Sequence, residues 1–125
     1  MATEQRLLTY GFPVAADLHL YQFCPVNVSS GTVALAGTGL NMDGILQDAP
    51  NTVGQSAEVA MFGVSKALSA GNGFAADDLL EVYTSGAGFQ TKSSGVAVAK
   101  AVTAATAGAI GTVIILTGVT AFKYG

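Results

Sequence analysis

From Tyr21 onward the chain is a succession of short apolar runs, each cut by Gly, Asn, Asp or Ser. Runs of this kind fit strands of about four to eight residues rather than the longer stripe of a helix. Tyr21 to Val28 is the first candidate, and Pro25 confines it to a sheet edge or a bulge. Ser29-Ser30-Gly31 turns into Thr32 to Ala36, and a loop through Gly37, Gly39 and Asn41 leads to Asp43-Gly44 and then Ile45 to Gln47. Ala57 to Lys66 is the longest candidate. Val59 and Met61 face one way there, and Glu58, Ala60, Phe62 and Val64 the other. Gly63 in its middle predicts a bulge or a close backbone approach. Leu79 to Thr84, Phe89 to Thr91, Val96 to Val102 and Thr112 to Thr117 follow, with Val119 to Lys123 as a last candidate. In the third of these, Val96, Val98 and Val102 are expected on one face, with Lys100 the exception. The Ala-rich piece 103–109 reads as a helical turn or a loop. About seven short strands, with turns every 8 to 12 residues or so, predict an all-β fold: a small β-barrel or sandwich.

Residues 1–20 differ from the rest. They hold Glu4, Arg6, Asp17 and His19, show no period of 2 or 3.6, and contain Pro13. They are read as an extended N-terminal arm, and 21–125 as the β-barrel-like domain. The opening MATEQRLLTYGF carries charges where a secretory signal needs a long apolar run. Residues 101–122 are uncharged and long enough to span a bilayer. Their Gly and Thr content, and an apolar run confined to Val113 to Leu116, favour a buried strand instead; a membrane-spanning or filamentous coat subunit is the alternative they leave.

Composition narrows the function. Only 10% of residues are charged, against about 25% in an ordinary soluble domain. The five Lys and Arg residues stand singly, which does not suit a nucleic-acid binder. Cys24 is the sole cysteine, so no internal disulfide forms. A surface built largely of Ser, Thr, Gly and Ala suits a subunit that partners cover.

Side chains for chemistry are sparse. His19 and Cys24 are the only His and Cys. A thiol–imidazole pair is conceivable, but an exposed His and a small buried Cys is the plainer reading. One His and one Cys do not make a zinc site. Asp77 and Asp78 are adjacent and read as a solvated turn, and Asp43 and Asp48 lack the spacing of a calcium loop. Gly37-Thr38-Gly39 and Gly71-Asn72-Gly73 lack the Gly-Lys-Ser/Thr ending of a phosphate loop. Lys66 in Val64-Ser65-Lys66-Ala67-Leu68 lacks the neighbours of a biotin- or lipoate-carrying Lys, and leaves a small β-barrel binding or carrier module as a second alternative. No catalytic residue, metal ligand or cofactor is expected, and an enzyme is not.

One ordered set of segments resembles the phage capsid cement, or head decoration, family. It runs through Val33-Ala-Leu-Ala-Gly37, Asp43-Gly-Ile-Leu-Gln-Asp-Ala-Pro50 and Gly54-Gln-Ser-Ala-Glu-Val-Ala-Met-Phe-Gly-Val-Ser-Lys66. Gly71 to Leu80, Gly95-Val-Ala-Val-Ala-Lys-Ala101 and Gly111-Thr-Val-Ile-Ile-Leu116 complete it. The chain departs from the family pattern at Asp77-Asp78, where Gly-Asp is frequent, and at Lys100, where an acidic residue is frequent. The resemblance implies a β-barrel-like decoration domain on the outer surface of an expanded icosahedral head. It implies trimers at threefold and quasi-threefold sites, the major capsid protein and a second copy of itself as partners, no nucleic acid, no membrane and no cofactor. In that setting the arm is expected to add a strand to a partner's sheet edge, with Leu7, Leu8, Tyr10 and Phe12 as its capsid-contact anchors.

Overall fold

The computed structural model describes residues 5–116, and only the backbone of residues 5–10. Nine strands are described: β1 Gln5–Pro13, β2 Pro25–Ser29, β3 Thr32–Leu35, β4 Gly44–Leu46, β5 Ser56–Leu68, β6 Leu79–Val82, β7 Phe89–Thr91, β8 Ala99–Ala101 and β9 Ile110–Ile115. A single turn of 3₁₀ helix at Thr84–Gly86 joins β6 to β7. The fold is all-β and barrel-like, as the short apolar runs predict. The strand that was not among the sequence candidates is β1, in the stretch read as an arm.

β5 organises the molecule. One edge carries β1, antiparallel. The other carries β4 at Val59 and Ala60, then β9 from Gly63 to Leu68. The sheet order is β3-β2-β4-β5-β9-β8-β6-β7. Both ends of this path curl back towards β5. Val33 of β3 bridges Val14, just after β1, and Phe89 of β7 bridges Ser69, just after β5. Curling of this kind leaves few open sheet edges.

Two apolar cores follow, one on each side of the β4–β5 wall. Leu46, Ala57 and Val59 face a smaller core with Val14, Leu18, Val26 and Val33. Ile45 and Ala60, the alternate residues, face a larger core with Leu80, Val82, Phe89, Val98, Val113 and Ile115. Period-2 alternation thus fills both sides of one wall. Beyond Gly63 the parity reverses, and Ala67 faces the larger core where Ala60 did. Gly63 makes the change with φ +98°, which a Cβ disfavours, opposite a shift in the β1 register between Arg6 and Leu8.

The stretch read as an arm is joined to this body. Residues 5–13 run along β5, and Val14 and Leu18 lie in the smaller core. The Val96 to Val102 expectation is corrected. Only Ala99–Ala101 is strand, Val98 is fully buried, and Val96 and Val102 are exposed. With so short a strand, alternation does not carry from one end of the segment to the other. Residues 103–109 are a loop, pinned where Ala105 bridges Phe74. The candidate strand 119–123 lies outside the described residues.

Candidate contact surfaces

Most of the sequence candidates for chemistry are taken up in holding the fold, whereas Asp77 is exposed on a turn. His19 Nδ1 lies 2.7 Å from Asp17 Oδ1, and Asp17 also accepts the His19 N–H at 3.0 Å. These bonds, the backbone one first, hold the exposed Asp17 carboxyl below its ordinary value. Cys24 is fully buried at the entry to β2, and burial pushes its thiol up to about 12. A thiolate is the reactive form. Cys24 is therefore expected to resist iodoacetamide at pH 8 in the folded protein and to be alkylated in denaturant, as intact-mass measurement would show. Rapid labelling of the folded protein would contradict the burial.

Several carboxylates serve the backbone. Asp43 Oδ2 accepts the Val28 N–H at 2.8 Å, and Asp48 Oδ1 accepts the Glu58 N–H at 3.1 Å. Asp78 Oδ2 accepts the Ala75 N–H at 3.0 Å and the Thr91 hydroxyl at 2.7 Å. No cluster of three or more His, Cys, Asp or Glu that could hold a metal ion occurs among the described residues. Lys66 lies inside a paired strand, opposite Thr112, rather than at a hairpin tip. Its ammonium stands 5.7 Å from the centre of the Phe23 ring.

Sequence reading missed the most connected of these groups, Glu81. It is the one outward-facing residue of β6 that is buried, at 6% exposure. Its Oε1 accepts the backbone N–H of Ser93 at 3.1 Å and of Gly95 at 2.7 Å, and its Oε2 accepts the Gln90 amide at 2.7 Å. Burial alone raises its pKa. The three hydrogen bonds and the Lys92 charge outweigh burial, so the carboxyl is held below its ordinary value. The loop it holds packs on a second loop, for Val96 donates to Gly39 O at 2.9 Å and Gly39 to Val82 O at 3.0 Å. A Cβ at Gly95 would come within 2.6 Å of Glu81 Oε1 and 2.7 Å of Gly39 Cα, so the close approach needs Gly there. The signal was an acid inside the apolar run Leu79-Leu80-Glu81-Val82, ahead of a Ser/Gly turn.

Of the proposed arm anchors, Phe12 is half-buried against the smaller core. Leu7, Leu8 and Tyr10 lie in β1, and their side chains are outside the described part. An open groove of about 910 Å³ runs between β7 and the 104–109 loop, floored by Phe74. Among the described residues that line it, Asp78 alone is charged, and that carboxylate is already bonded.

No protein-family model matches the chain, and no curated protein matches it. Among solved structures, the fold is similar to the head fibre gp8.5 N base of bacteriophage phi29. The TM-score is 0.65 and the identity 17%, over 86% of this chain and 92% of that one. At that identity the likeness is one of fold.

Proposed function

We propose that the chain is a decoration, or cement, protein of a phage head. In this reading it binds the outer surface of the expanded icosahedral shell, contacts the major capsid protein, gathers as trimers at threefold and quasi-threefold sites, and stabilises the shell. The carrying observation is the fold likeness to a protein named as the base of a phage head fibre, matched over nearly the whole of both chains. The ordered motifs between Val33 and Leu116 support the same reading, as does the scarcity of charge.

The mechanism is linkage. A protein that binds only the expanded lattice stabilises it by its own binding free energy. Many copies that each bridge neighbouring subunits sum to a large effect from modest single affinities. The chain needs no chemistry and no cofactor for this. Leu7, Leu8 and Tyr10 are proposed shell contacts, with Phe12 seating β1 against the body.

The membrane alternative rested on residues 101–122. Their described part forms the end of β8, a loop and β9. Among the described residues no helix is long and apolar enough to cross a membrane.

Cosedimentation with shells of the major capsid protein from the same genome tests the proposal. Saturable pelleting with expanded shells, and none with unexpanded ones, is the expected result. No pelleting with either would sink the proposal and leave a likeness of fold alone.

A further inference from the structure

Asn72-Gly73 is the only Asn-Gly pair in the chain; Asn27, Asn41 and Asn51 precede Val, Met and Thr. In such a pair no side chain on the second residue hinders its backbone nitrogen from reaching the amide carbon of the first. That nitrogen, once deprotonated, bonds to the Asn Cγ, and the Cγ–Nδ2 bond breaks. Ammonia leaves with the proton, and a five-membered imide remains. Water then opens the imide at either carbonyl, giving aspartate or its β-linked isomer.

The fold exposes the amide carbon and withholds the nitrogen that would attack it. Asn72 is exposed in the turn after β5, whereas Gly73 is buried. The Gly73 N–H donates to Ala70 O at 2.9 Å and closes the turn, which Gly71 enters at φ +61°. Both ends of the turn are fixed. Ala70 donates to Phe89 O at 2.9 Å, and Phe74 exchanges two backbone hydrogen bonds of 3.0 Å with Ala105. A Cβ on Gly73 would lie 2.6 Å from Ala105 O, so this backbone is hemmed in. A base does not reach a buried, bonded N–H, and removing the proton forfeits the hydrogen bond. The related pair Asp43-Gly44 presents an ionised carboxylate, a poor electrophile, which already accepts the Val28 N–H.

We propose that Asn72 is a site of spontaneous deamidation, gated by opening of the 70–73 turn. The closed turn suppresses the reaction. It proceeds during the local openings that free the Gly73 N–H, the same openings that permit hydrogen exchange there. The β-linked product lengthens the turn by one backbone atom and removes the geometry that closed it. Either product adds a carboxylate to the groove beside β7, whose lining includes Asn72 and Asp78.

Peptide mapping by mass spectrometry tests this, following amide loss in the full chain in buffer and in guanidinium chloride at one pH and temperature. In denaturant, Asn72 is expected to react faster than Asn27, Asn41 and Asn51. In the folded chain its rate should fall at least about tenfold, with hydrogen-exchange protection of at least that size at the Gly73 amide. Gly71→Ala strains the turn and leaves the reacting pair intact, for its Cβ would lie 2.6 Å from Gln90 Oε1 and 2.8 Å from Tyr83 Cε1. The variant, folded by circular dichroism, is expected to lose the amide several-fold faster than the parent in buffer and equally fast in denaturant. If Gly71→Ala does not fold, the parent in rising sub-denaturing urea takes its place, and the Asn72 rate should climb with exchange at Gly73. Equal parent rates in buffer and denaturant would overturn the proposal. So would slow reaction beside an unprotected Gly73 amide, or no excess of Asn72 over the other three in denaturant. A folded Gly71→Ala that reacts no faster than the parent, or a rate that stays flat in urea, would also overturn it.

Discussion

Phe89→Ala is expected to cost about 3–5 kcal/mol, Leu46→Ala about 2–5 kcal/mol, and either variant to unfold in one transition. Phe89 is the largest fully buried side chain of the larger core, and Leu46 is fully buried in the smaller one. Each truncation leaves a cavity that a close-packed interior refills only in part. Two separate cores would ordinarily allow two independent melting units. The wall between them argues otherwise. Ile45 and Leu46 are consecutive in β4 and face opposite cores, as do Val59 and Ala60 in β5. Losing one core strips one face of both strands, and the other core cannot keep its wall. Urea unfolding followed by circular dichroism, with hydrogen exchange at the amides of Val26 and Val82, checks this. Coincident loss of both amides at the global midpoint is expected. Separable transitions would show that the cores fold independently.

Glu81→Ala is expected to destabilise the chain by about 2–4 kcal/mol, and to lower Tm by roughly 10 °C or more. The change leaves two backbone N–H groups and the Gln90 amide without the acceptor that now takes all three. Glu81→Gln keeps one acceptor oxygen and should cost less. The same carboxyl makes stability depend on pH. Its folded pKa lies below the ordinary 4.5, so the unfolded state binds the proton more readily. The stabilisation is therefore complete above about pH 5 and is lost as pH falls through the folded value. Asp78, lowered by its bonds to Ala75 and Thr91, works in the same direction. Melting temperatures between pH 3 and 7 should be level at the upper end and fall below about pH 4.5, less steeply in Glu81→Gln. An equally steep fall in that variant would remove Glu81 from the account.

Much of the architecture was legible before any tertiary information. The turns at Ser30-Gly31 and Gly71-Asn72, the strand around Val59 and the Gly63 bulge all follow from side-chain period and backbone freedom, which are local. β1 was not legible, because Gln5 to Pro13 shows no alternation; it is a strand through its pairing with β5. The Val96–Val102 faces were misjudged because alternation was extended beyond a strand of three residues. Glu81 went unnoticed because its donors lie on β7 and on a loop twelve and fourteen residues away.

By itself the sequence determined an all-β chain of short strands, the bulge at Gly63 and a weakly charged surface. Only the tertiary structure decided that β5 would be a wall between two cores, that most carboxylates would hold backbone donors, and that the Gly73 N–H would be buried against Ala70. Period and turn chemistry act over a few residues. The register of strands far apart in the chain is set instead by which pairing buries the most apolar surface while satisfying the backbone, and that choice involves the whole fold at once.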